Sequence, residues 1–150
     1  MSTLFPDAVL LSIPKTGNAW TGWLKRTNHA GHLIGTAELF DHLGVSIPGK
    51  TLQIEVKSSI VVPACLYLFS VMSLEGRDRR MVYRLEVCPT QKRSHNGPLP
   101  IYGPHEHEAG CEALAVADAS VNCDSWDNCV AWFLARTKIS CADITNPFNP

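Results

Sequence analysis

The stretch Cys65–Cys88, reading CLYLFSVMSLEGRDRRMVYRLEVC, decides the fold. From Cys65 to Leu74 it is apolar on both faces and rich in aromatic and β-branched residues, the composition of a central strand. Glu75-Gly76-Arg77-Asp78 carries turn chemistry. The pattern then alternates, with Met81, Tyr83, Leu85 and Val87 against Arg80, Val82, Arg84 and Glu86. Upstream, after Pro48-Gly49, Leu52, Ile54 and Val56 alternate with Gln53, Glu55 and Lys57, the signature of a half-buried strand. Together these segments predict an antiparallel meander.

Trp126 to about Lys138 changes period. Trp126, Cys129, Val130, Phe133 and Leu134 share a helical face, Asp124 or Ser125 precedes them as a cap, and Arg136 and Lys138 sit where the helix dipole favours cations. The expected fold is therefore α+β: an antiparallel β-meander of four or five strands with the C-terminal helix packed on one face, one domain over 1–150. Other segments are read more locally. Ala8–Ile13, ending at Pro14, suits a short strand or extended arm. Lys15–Arg26 is a helix weakened by Gly17 and Gly22, with Trp20 and Trp23 as core anchors. Ala37–Leu43, between Thr36 and Gly44, matches a short helix. Pro89–Pro104 is a long, Gly- and Pro-rich connection. Trp132 lies off the apolar face of the last helix and is available to a neighbouring element or a partner.

A chain of 150 residues can bury a sizeable core. With 45% hydrophobic and 18% charged residues and a net charge of −1, it is not a disordered tail, a collagen-like rod or a highly basic nucleic-acid binder. The N-terminus lacks a basic segment followed by an apolar run, and the uncharged run Ser58–Leu74 contains Pro63 and is short for a membrane span, so a cytoplasmic protein with no membrane contact is expected. The six cysteines show no Cys-x-x-Cys and are expected to be reduced, mostly as small core residues.

The common phosphate-loop, dinucleotide, nucleophile-elbow and zincin motifs are absent. What remains is Gly103-Pro104-His105-Glu106-His107-Glu108, following Lys92, Arg93, Ser94, His95 and Asn96. On a strand, the period of two places His105 and His107 on one face. Near neutral pH such a pair can serve as base and acid, with Arg84 or Arg93 stabilising a phosphorane, as in metal-independent RNA cleavage through the 2′-hydroxyl. Two imidazoles and a carboxylate from Glu106, Glu108 or Glu112 can instead hold a divalent metal, although Glu106 points to the opposite face. A His-Glu-His-Glu strand also serves as a plain solvated edge, and Arg77–Arg84 as a charged edge strand that blocks aggregation. His29-x-x-His32 reads as a surface loop rather than a metal half-site.

The order Arg93-x-His95-Asn96, then Gly103-Pro104-His105-x-His107, resembles a pattern in small proteins of phages and other mobile elements. More distantly, it is similar to the His-x-His segment of TumE-like toxins from toxin–antitoxin pairs. The resemblance spans Thr51 to Ile144 in layout and about ten residues in identity. It implies a toxin-like, RNA-directed protein with His105, His107 and His95 as catalytic positions. Arg84, Arg93, Asn96 and Tyr102 form the expected binding set, with no metal and no cofactor assigned. RNA, a host protein complex and an antitoxin are the expected partners. The competing expectation is a non-enzymatic inhibitor of mobile-element origin, acting on a host nuclease or defence complex by protein–protein binding.

Overall fold

A computed structural model describes residues 6–27, 30–57, 65–95 and 100–148. The predicted meander is present and forms its centre. Four long strands, β3 (His32–Asp41), β4 (Ser46–Lys57), β5 (Tyr67–Glu75) and β6 (Asp78–Val87), pair antiparallel in sequence order. Around them stand β1 (Lys15–Asn18), β2 (Leu24–Lys25), β9 (His105–Glu108), β10 (Leu114–Ala115) and β11 (Ile139–Ser140). The sheet has nine strands rather than four or five, in the order β10-β9-β6-β5-β4-β3-β1-β11, with β2 also on β3. It is mixed, because β1 and β11 run parallel. The additional strands are two to four residues long, too short for an alternating pattern to reveal them.

Helix α2 (Trp126–Thr137) lies where its periodicity predicts and buries Trp126, Cys129 and Phe133. Phe133 packs against Phe69 and Tyr83, with ring centroids 5.5 Å and 6.1 Å away. Trp126 meets Tyr67, Phe69 and Trp23, and Trp20 meets Trp23, so both N-terminal tryptophans are core anchors. Trp132 also packs against the core, the neighbouring-element contact expected of it, and stays partly exposed.

Three local readings are corrected. Ala8–Ser12 belongs to a helix, α1 (Asp7–Ser12), with Ile13 extended just past its end; the helix buries Leu10 and Leu11 and ties Asp7 to Arg80 of β6. A six-residue apolar run has no period that separates strand from helix. Lys15–Arg26 supplies β1 and β2 instead of a helix. Ala37–Leu43 runs through β3 into its turn. Gly35, Ala37 and Leu39 face inward while Thr36 and Glu38 face away, and long-range pairing with β4 overrides the helical spacing of Leu39, Phe40 and Leu43.

The Pro89–Pro104 connection contains a small two-stranded sheet, β7 (Arg93–His95) with β8 (Ile101–Tyr102). The basic strand β6 lies between β5 and β9, but β9 covers it only from Tyr83 to Glu86; among the described residues Asp78–Met81, with Arg79 and Arg80, pairs with β5 alone and remains an edge. Its arginines reach neighbouring side chains, Arg79 toward Gln53, Arg80 toward Asp7 and Arg84 toward Ser70, and Arg79 stays exposed. Cys65 and Cys123 form a disulfide, so the expectation of six reduced thiols is corrected. Cys88 and Cys129 are buried thiols, as expected of core cysteines. No helix among the described residues is long and apolar enough to cross a membrane.

Candidate functional site

Strand β9 pairs with β6 in the register Glu86↔His105 and Arg84↔His107. Side chains of paired residues share a face, so the period of two that aligns His105 with His107 also brings Glu86 and Arg84 beside them. The imidazole centroids are 4.7 Å apart, with the rings at 75°. His105 Nδ1 lies 3.1 Å from the carbonyl oxygen of Gly103. Because a carbonyl only accepts, Nδ1 is the donor, and Nε2 turns toward Glu86, 3.8 Å from Oε2. Gly103 holds that carbonyl from a backbone at φ 77°, where a side chain would press on Thr90 Cα at 3.0 Å.

Arg84 is half-buried and donates from Nε to Ser70 Oγ at 2.8 Å. Burial lowers its affinity for the proton, and the charges of Glu86 and Glu55 work in the opposite direction. Farther along the same face, Glu55 accepts from Arg26 and from His32. Burial alone would raise the Glu55 carboxyl, but these two partners hold it below the ordinary carboxylate range. His32 is thus engaged with Glu55 at the start of β3, while His29 lies outside the described residues.

The other face of β9 carries a different cluster. Glu106 accepts from Tyr83 Oη at 3.0 Å and from Arg136 Nε at 3.0 Å. Arg136 also reaches Glu108 and lies over the Tyr83 ring, 4.9 Å from its centroid. Burial and the neighbouring Glu106 push the Tyr83 phenol well above its usual range. Neither Glu106 nor Glu108 therefore joins the imidazoles as a ligand, and Glu112 lines a hollow of about 110 Å³ with Cys111 and Arg136 on this second side.

The predicted site residues come together only in part. His105, His107 and Arg84 converge. His105 is buried, its side chain 1% exposed. Arg93 and Tyr102 face each other across the separate β7–β8 pair, and both are exposed. The His95 backbone pairs with Ile101, while its side chain and all of Asn96 lie outside the described residues. The sequence reading missed Glu86. Its place in the alternating β6 pattern was visible, but its pairing with His105 spans the intervening hairpin. A larger hollow, about 420 Å³, lies at the start of α2 among Tyr67, Asp124, Trp126 and Phe148, and none of the predicted site residues lines it.

No protein-family model, no curated protein and no solved structure matches this chain.

Proposed function

We propose that this protein is a non-enzymatic binding protein that docks on a partner protein through one end of its sheet. One observation carries the reading: the β3–β4 turn displays Leu43 and Val45 at 76% and 58% exposure on a rigid frame. The Asp41 carboxylate accepts from the backbone N–H groups of Leu43 and Val45, and the Asp41 and Val45 backbones bond to each other. Apolar side chains held outward on a preorganised turn lose little entropy on binding.

Leu74 near the end of β5 and Val9 on α1 are also exposed at this end of the sheet. Lys50 pairs with Glu75 and Arg80 with Asp7; Arg79, hydrogen-bonded to the neutral Gln53, keeps its charge uncompensated and with Arg77 outweighs Asp78 at the β5–β6 turn. The complementary partner surface is an apolar groove with an acidic rim. The mobile-element resemblance supports placing that surface on a host protein complex.

The test is capture from host lysate with wild-type protein, a Leu43→Asp/Val45→Asp variant and a His107→Ala variant. A partner protein should be retained by wild type and His107→Ala and lost by the turn variant, with all three melting alike. Retention by the turn variant, or no captured protein at all, overturns the reading.

A second reading, RNA-directed and toxin-like, is favoured by Arg93 and Tyr102, which offer a cation and an exposed ring on adjacent strands. Acid–base cleavage by the imidazole pair draws little support from the burial of His105, because a general base must reach the 2′-hydroxyl. This reading requires single-stranded RNA binding that weakens steeply with salt and is lost in Arg93→Ala/Tyr102→Ala.

A further inference from the structure

Glu86, His105 and His107 each offer one ligand atom, and these atoms all lie within 4.8 Å of one another. Around a tetrahedral zinc with bonds of roughly 2.0–2.2 Å, neighbouring ligand atoms stand about 3.4 Å apart. His105 Nε2 and Glu86 Oε2, at 3.8 Å, are already near that spacing. It is too long for a direct hydrogen bond and suits two ligands of one ion. The remaining closure falls to Glu86 and His107, both only half-buried, where a change of rotamer costs least.

Orientation points the same way. A metal-binding imidazole characteristically donates its other N–H to a carbonyl or carboxylate, which fixes the ring and leaves the second nitrogen for the metal. His105 has that orientation, with Nδ1 donating to the Gly103 carbonyl and Nε2 facing Glu86. Burial locks the ring in that pose.

We infer that Glu86, His105 and His107 form a binding site for a first-row divalent transition ion, with Zn²⁺ as its representative. The ligand set selects the class. Two imidazoles favour zinc, copper, nickel or cobalt, whereas magnesium and calcium require oxygen ligands. Three protein ligands leave at least one coordination position for water or another small donor.

The experiment is calorimetric titration of the EDTA-treated full chain with Zn²⁺, repeated with Co²⁺ and its visible absorbance. Wild type should bind one ion per chain. His107→Ala and Glu86→Gln should each weaken binding by at least about 100-fold, since even outer-shell partners are worth 10- to 100-fold. Cys111→Ser, at the hollow on the other face of β9, should bind like wild type, and Mg²⁺ and Ca²⁺ should give no heat. Absence of binding by folded wild type, or equal affinity in the ligand variants, overturns the site. Should those variants fail to fold, Co²⁺-induced NMR shifts in wild type decide: shifts centred on the His105 and His107 rings support the site, and shifts centred elsewhere overturn it.

Discussion

Lys15 is an amine buried where amines are expensive. Only 2% exposed, it sends Nζ to the carbonyl oxygens of Leu10 and Ile13, 2.5 Å and 2.6 Å away. Burial, reinforced by the charge of Lys138, pushes its pKa from 10.5 down to about 8. The folded chain therefore releases this proton near pH 8, while the unfolded chain keeps it until about 10.5. Across that window the unfolded state binds more protons, so stability from this group rises with pH. Urea unfolding of wild type and Lys15→Met at pH 7 and pH 9.5 should show the difference moving in favour of wild type at the higher pH. A difference that stays constant contradicts the assignment. At this scale the sequence was partly legible. The period of two aligned His105 with His107, but no pattern in the residues around Lys15 announces a buried cation, because the carbonyls that receive it lie in and just past the end of a helix that the apolar run did not reveal.

Among the elements, α2 was the most legible, and its energetics follow from the face that made it so. Phe133 is fully buried between Phe69 of β5 and Tyr83 of β6, so Phe133→Ala removes the ring that joins helix to sheet. The expected cost is about 3–5 kcal/mol, measured as a shift of the denaturation midpoint with little change in slope. Leu134→Ala, on a half-buried flank, should cost distinctly less. The strands β4 and β6 were legible because each is long enough to show its period of two, and β5 because it is apolar on both faces and rich in aromatic and β-branched residues. In β3 the inward positions are Gly35, Ala37 and Leu39, two of them small, so the alternation was faint beside the helical spacing of its larger side chains. Gly35 is small for a physical reason: an added Cβ would meet the Trp20 ring at 2.2 Å. The tryptophan takes the space that a larger strand residue would have used to declare itself.

At the scale of the whole molecule, long-range closures replace the simple meander. The disulfide joins Cys65 at the entry to β5 with Cys123 before α2, a separation of 58 residues. Closing a loop of that size restricts the unfolded chain by roughly 4 kcal/mol in the entropic account. Unreduced, denatured protein should therefore titrate four thiols, those of Cys88, Cys111, Cys129 and Cys141, and reductant should lower the melting temperature. Six reactive thiols without reductant would exclude the bond. Neither this pairing nor the β6–β9 register follows from local pattern. Both join segments whose proximity only the finished topology creates, and for that reason Glu86 escaped the reading that found the histidines.

The parallel seam of β1 with β11 couples Lys15 and Thr16 to Ile139 and Ser140. Translation delivers β1 early and its mate late, so a nascent chain carries a bare backbone edge for most of its synthesis. Stalled or truncated products should be the sticky ones, recruiting chaperones or one another through that unzipped flank.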